Sequence, residues 1–189
     1  PIKLEAEYPG VRIKFQGFLH TARVLLQLDI GFGDIVVPEP KTVWFQSPIG
    51  LPAFSLKGYP KETVVAEKYQ ILTNLDLFNS RLKDFYDIYQ LARLHDFEGE
   101  VLSESILATF SRRNTALTRE PIAFQEIFFQ NEMKKVQWIA FLKKLPLLER
   151  NLSLSDCILF LRSFLLPVTA SMIEGNTFSL SWKPGGPWV

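Results

Sequence analysis

Three places in the sequence carry charge where the surrounding pattern calls for apolar side chains. The first is Lys68: Val64, Val65, Ile71, Leu72 and Leu75 recur at helical spacing, and the lysine falls in the middle of their stripe. An ammonium there either runs its stem along the apolar surface to reach water beside Glu67, or it meets an anion, a carboxylate or a phosphate. The second is the pair Asp84 and Asp87, three residues apart in a segment that is otherwise apolar almost all round through Leu82, Phe85, Tyr86, Ile88, Tyr89, Leu91, Ala92 and Leu94. At least one of these carboxylates must sit at the edge of a core, where an unpaired charge is expensive. The positive N-terminal end of a helix could hold either one, and so could Arg81 or Lys83 beside them. The third is Asp29, which ends a strand-like run on the same face as Arg23 and Gln27 and precedes the turn Gly31, Phe32, Gly33, Asp34. A strand-end carboxylate between hydrophobic neighbours can face a metal ion, or make local hydrogen bonds in the turn that follows.

The parts of other chemistries are missing. There is no Gly-x-Ser-x-Gly, no His-Glu-x-x-His and no Walker motif. Cys157 is the sole cysteine and the histidines are His20 and His95, so neither a disulfide framework nor a cysteine-based zinc site can form, and a reducing, cytoplasmic setting is expected. His95, followed by Asp96, reads as a helix-end residue. The chain balances 21 Lys+Arg against 20 Asp+Glu, which removes the whole-chain argument for nucleic-acid binding. Any such contact must be local: Arg112, Arg113 and Arg119 with Lys134, Lys135, Lys143 and Lys144 are solvated helix faces unless their helices converge.

The elements that must position these groups are legible from the periods. Val11, Ile13 and Phe15 alternate with Arg12, Lys14 and Gln16, and after a turn near His20 and Thr21 the run Val24, Leu26, Leu28, Ile30 alternates again, which predicts a β-hairpin. Beyond Pro60 the period becomes helical, with helices expected near 60–76, 80–95, 100–113, 121–146 with a break near Gln130, and 154–174. Asn79 or Ser80 is the expected cap of the second helix. Strands first and helices after indicate an α+β fold, with a domain at 1–98 and a helical domain at 99–189. The apolar stretch from Cys157 to Met172 is broken by Arg162 and Pro167 and falls short of the roughly 20 residues of a membrane span, so it reads as a buried helix. The segments Asn114 to Pro121 and Ser181 to Val189 resemble linkers. Phe124, Phe128 and Phe129 with Trp138 and Phe141 belong either to the core or to an interface.

The charged residues also form an ordered set: LQLDIGFGD at 26–34, YPKETVVAEKYQ at 59–70 and NSRLKDFYDIYQL at 79–91. With ATFSRRNTAL at 108–117 and QWIAFLKKL at 137–145, this set resembles the AbiEii/AbiGii toxin family of nucleotidyltransferases, from type IV toxin–antitoxin systems, over roughly residues 8–146. The resemblance implies part of a polymerase-β-like nucleotidyltransferase sheet packed by helices and followed by a C-terminal helical bundle. It implies Asp29 as a metal-binding carboxylate, Lys68 and Asp84 as catalytic residues, and Lys68, Arg81 and Lys83 as nucleotide contacts, with Asp87 and Tyr86 in support. Mg²⁺ and a nucleoside triphosphate are the implied cofactors, RNA a possible acceptor and an antitoxin the cognate partner, with no membrane involved. The Gly-Ser turn and Asp-x-Asp pair with which that fold begins do not precede Asp29 in this sequence. Together with the start at Pro1, their absence leads to the expectation of a fragment or remnant inactive alone. The other reading is a non-catalytic module that binds an antitoxin or another protein.

Overall fold

The computed structural model describes residues 10–146 and 150–189, so residues 1–9 of the expected first domain and 147–149 of the expected second lie outside it. The chain divides into two compact units, Pro1–Ile35 and Val36–Val189.

The first unit is the expected hairpin. Strand β1, Gly10–Leu19, pairs antiparallel with β2, Ala22–Gly31, around the two-residue turn at His20 and Thr21, where His20 takes a positive φ of 52°. The register sets Arg12 opposite Asp29 and Lys14 opposite Gln27 on one face, and Val11, Ile13 and Phe15 opposite Ile30, Leu28 and Leu26 on the other. On that second face Val11, Ile13, Phe15, Leu26 and Leu28 are exposed.

The second unit opens with another hairpin, β3 (Lys41–Phe45) and β4 (Phe54–Gly58), and continues with helices α1 (Lys61–Leu75) and α2 (Leu82–Leu94). Then come the short strand β5 (Phe97–Glu98), α3 (Gly99–Arg112), a one-turn α4 (Glu126–Phe129), α5 (Glu132–Leu142), α6 (Leu154–Ile173) and β6 (Ser181–Trp182). The fold is α+β, and among the described residues its strands form three two-stranded pairs. The break between α4 and α5 falls where the sequence places it, because Asn131 caps α5 by accepting from the amides of Met133 and Lys134.

One hydrophobic core runs through helices on both sides of residue 98. Val65, Ala66, Tyr69 and Leu72 of α1 join Phe85, Ile88 and Ala92 of α2, Leu102, Ile106 and Phe110 of α3, and Cys157, Ile158, Leu161, Phe164, Leu165 and Val168 of α6. The buried face of α1 is rotated relative to the stripe expected from Val64, Ile71 and Leu75: Ala66 and Tyr69 take the core, with the Tyr69 ring stacked 5.8 Å from Phe124. That rotation carries Lys68 to the rim of the core. Phe124, Phe128, Phe129 and Trp138 are buried, which assigns them to the core rather than to an interface. By length and composition α6 could cross a membrane. Here its Leu154, Cys157, Ile158, Leu161, Leu165 and Val168 recur at helical spacing on the buried face, and the helix continues through Pro167.

Neither linker-like segment behaves as one. Thr115 accepts from Gln70 Nε2 at 2.7 Å, and Arg119 pairs with Glu174. The tail pairs β6 with β5, Trp182 Nε1 and the Gly185 amide both donate to the Ala92 carbonyl that ends α2, and Trp188 Nε1 donates to the Phe164 carbonyl. Two tryptophans need burial and partners for their indole N–H groups, and the C-terminal end of α2 and the middle of α6 supply both. Gly99 leaves the room for this crossing, since a Cβ there would lie 2.5 Å from the Phe178 ring and 2.7 Å from the Leu180 carbonyl oxygen. Gly99→Ala is therefore expected to push the tail away and to lower stability by about 2 kcal/mol. Denaturant unfolding checks this, and an unchanged midpoint would mean the tail does not pack against α3.

Candidate functional site

Helices α1 and α2 pack side by side, and the charged residues of both meet at the seam. Lys68 Nζ of α1 lies 2.5 Å from Asp84 Oδ1 and 2.8 Å from Asp87 Oδ2 of α2. Three residues of helix separate Asp84 from Asp87, a spacing that puts both carboxylates on one face and within reach of one ammonium. The same geometry adds two more cations from α2 and its start. Arg81 Nε lies 2.8 Å from Asp84 Oδ2, and Lys83 Nζ binds both Asp87 oxygens at 2.7 and 2.6 Å. The local pairing that could explain Asp84 and Asp87 and the anionic partner that could explain Lys68 thus occur together.

Exposure is graded across the cluster. The Asp84 side chain is 4% exposed, Lys68 20%, Arg81 56% and Lys83 70%. The deepest group is a carboxylate and the outermost groups are cations. Arg81 approaches Asp84 Oδ2 off the line of a hydrogen bond, and that buried oxygen has no hydrogen-bond partner among the described residues. Burial pushes the Lys68 ammonium toward the neutral form, but the bonds to Asp84 and Asp87 outweigh it and hold its pKa above the ordinary value.

The start of α2 fixes where Arg81 and Asp84 stand. Asn79 does not cap the helix directly. Its Oδ1 accepts from the Arg81 amide at 2.7 Å in a turn that precedes the first helical residue, Leu82, and the Asp84 amide then bonds the Arg81 carbonyl at 2.9 Å. Asn79 is fully buried, and its backbone carbonyl accepts from Lys134 Nζ of α5 at 2.6 Å. Lys134 belongs to the basic group expected on solvated helix faces, yet it is buried, with its ammonium 5.2 Å from the Phe128 ring centroid and its pKa pushed down by burial. Its signal was present: Lys134, Trp138 and Leu142 recur every four residues and form the buried face of α5. Tyr86 packs on Phe141, and its hydroxyl accepts from Gln90.

Asp29 belongs to the hairpin unit. Arg12 grips it in a two-pronged pair, Nε to Oδ1 at 2.7 Å and a terminal nitrogen to Oδ2 at 3.0 Å, and Gln27 adds a third bond at 3.0 Å. The Arg12 bond is the main reason the Asp29 carboxyl lies below the usual carboxylate range. Arg12 stands directly across the ladder from Asp29, so a hairpin register counted from the His20–Thr21 turn would have identified it.

The Lys68 cluster suits an anion. Three cations meet two carboxylates, which leaves a surplus positive charge next to a partly exposed ammonium. A divalent ion does not fit there, because Asp84 and Asp87 already face Lys68, Arg81 and Lys83. Among the described residues no three His, Cys, Asp or Glu side chains gather where they could hold a metal.

The sequence profile of the family described as Nucleotidyl transferase AbiEii toxin, Type IV TA system, matches residues 1–159. No curated protein and no solved structure shows significant similarity to the chain.

Two outcomes follow from the cluster's own energetics. Lys68→Met leaves Asp84 buried with only a misaligned guanidinium and is expected to cost about 2 kcal/mol, while adding Asp84→Leu restores most of it. Denaturant unfolding of both variants checks this, and an equally destabilised double variant would contradict it. The folded chain holds the Lys68 proton more tightly than the unfolded chain, whose ordinary value is 10.5. The lysine's contribution is then complete below that value and is lost as pH rises through the higher folded one. The stability gap between the parent chain and Lys68→Met should stay level from about pH 7 to 9 and shrink only in strong alkali. A gap that closes near neutrality would contradict the assignment.

Proposed function

The chain belongs to the AbiEii family of nucleotidyltransferase toxins from type IV toxin–antitoxin systems, and from that premise we propose that its Lys68 cluster binds the phosphates of a nucleoside triphosphate during nucleotidyl transfer to RNA. The observation that supports this reading is the position of Lys68, held by two carboxylates across a helix seam and still open to solvent. In the transfer, an acceptor hydroxyl oxygen forms a bond to the α-phosphorus while the bond from that phosphorus to the pyrophosphate oxygen breaks. The hydroxyl proton passes to water. Negative charge accumulates on the departing pyrophosphate, and preorganised cations stabilise it without having to reorient during the step. Lys68, Arg81 and Lys83 supply those cations. Asp84 acts through Lys68: it fixes the ammonium, so that a flexible lysine does not have to be ordered each time substrate arrives.

Asp29 remains the candidate of the hairpin for an ion such as Mg²⁺, and Arg12 must release it first. Calorimetric titration of Mg²⁺ should accordingly show tighter binding to Arg12→Ala than to the parent chain, and equal binding would remove Asp29 from the assignment. A second reading, a binding module for the cognate antitoxin, is favoured by the uncovered apolar face of the β1–β2 hairpin.

Labelled ATP, GTP, CTP and UTP, offered in turn with RNA and Mg²⁺, separate the two. This chain alone is expected to transfer none; in a form that also carries a Gly-Ser turn and Asp-x-Asp strand ahead of it, transfer of label to RNA is expected, with Lys68→Met slower by about a hundredfold, the typical effect of deleting one transition-state charge partner. Asp84→Asn should fall less far. Equal labelling by Lys68→Met would overturn the site, whereas absence of transfer by that form together with binding of the purified antitoxin would favour the module.

A further inference from the structure

We propose that Lys134 is a positioning residue for the phosphate site: from α5 it pins the Asn79 turn and so sets the angle at which Arg81 and Asp84 meet Lys68. The proposal rests on the reading of the Lys68 cluster as a phosphate site. The chain of contacts is short and continuous. Lys134 Nζ donates to the Asn79 carbonyl, the Asn79 side chain holds the Arg81 amide, and Arg81 faces the buried Asp84 oxygen. Each step fixes the next.

Folding alone gives little reason for an ammonium at this place. Lys134 is buried, no carboxylate pairs with it within ion-pair distance among the described residues, and its hydrogen bond reaches only a neutral carbonyl. An apolar side chain of similar length fills such a space at equal or lower free energy, since an ammonium loses its hydration there. The turn it holds is itself costly. Asn79 is fully buried and its Nδ2 has no hydrogen-bond partner among the described residues, so without Lys134 the turn has reason to open. A strong donor aimed at a carbonyl two residues before Arg81 is explained if what matters is the placement of that arginine and of Asp84. A misplacement of the order of an ångström at a site of this kind costs much more in ligand binding than in stability.

The test uses the full chain, inorganic pyrophosphate as probe, and the variants Lys134→Met, Lys134→Arg and the same-helix control Lys135→Met. Lys134→Met is expected to unfold within about 3 °C of the parent chain or above it. It should nevertheless bind pyrophosphate about tenfold more weakly in calorimetric titration. Lys134→Arg, which can still donate to the Asn79 carbonyl, should recover most of the affinity, and Lys135→Met should match the parent. Parental affinity in Lys134→Met overturns the proposal. So does an affinity loss that the arginine variant shares along with a lowered melting temperature, because that pattern marks a merely structural lysine. If the parent chain binds no pyrophosphate, the phosphate reading of the Lys68 cluster fails, and the pinning of the turn is decided by the Arg81 amide. Its NMR resonance and slow hydrogen exchange should be lost in Lys134→Met and kept in Lys135→Met; retention in both overturns the pinning. Lys134→Gln serves in place of the methionine variant if that chain does not fold.

Discussion

The bridge from Lys68 to Asp84 and Asp87 constrains the second unit more than any other polar interaction described. A carboxylate as deeply buried as Asp84 is costly to the fold without a partner. Its main partner stands on a different helix, so α1 and α2 must pack in one register and at one rotation for the charge to be tolerated. Slipping either helix by a residue would turn its own member of the pair about the helix axis by roughly 100° and strand the carboxylate. Hydrophobic burial supplies the attraction between the helices, but it is indifferent to small rotations. The ion pair is not.

The rest of the second unit supports that seam from three directions. From one end, the tail ties down the last turn of α2 through two hydrogen bonds to the Ala92 carbonyl. From the other end, α5 holds the turn before α2 through Lys134. Beneath, Tyr69 of α1 stacks on Phe124 and reaches Thr169 of α6 through its hydroxyl, whose pKa burial pushes up to about 12, so it stays a neutral bonding partner at physiological pH. The family profile ends at residue 159, within α6. The tail that braces α2 therefore lies beyond the matched segment.

Much of this was legible in the sequence because the relevant signals are local. The hairpin follows from alternation and a two-residue turn, and the helices follow from apolar spacing. Lys68, Asp84 and Asp87 stood out because each interrupts an apolar pattern. What could not be read was which way the pattern would be resolved. The stripe on α1 counted Ile71 and Leu75, but packing preferred Ala66 and the large ring of Tyr69, a choice set by neighbours remote in sequence. The tail resembled a linker because proline and glycine set its backbone, while its two tryptophans decided its fate through contacts with α2 and α6. Lys134 was hidden among lysines. Composition treats all of them alike, and the spacing with Trp138 and Leu142 sets this one apart.

The order of charge with depth decides what kind of ligand the seam can accept. Ammonium groups attract and carboxylates repel a passing phosphate with similar strength at equal distance, so a count of charges alone would leave little preference. Distance is not equal here. Asp84 is the deepest group, Lys68 and Asp87 stand level with each other nearer the surface, and Arg81 and Lys83 are outermost. A polyphosphate arriving from solvent meets cations first and meets Asp84 only through the ammonium that screens it. A divalent metal ion arriving by the same route meets repulsion first, and finds the oxygens it would need already turned toward lysine and arginine. Desolvation sharpens the contrast, because Asp84 sits where screening by water is weakest and its Oδ1 is bound there by Lys68. The same buried carboxylate that looks anomalous in an apolar helix is then what keeps a partly exposed lysine in one place, as the proposed phosphate contact requires.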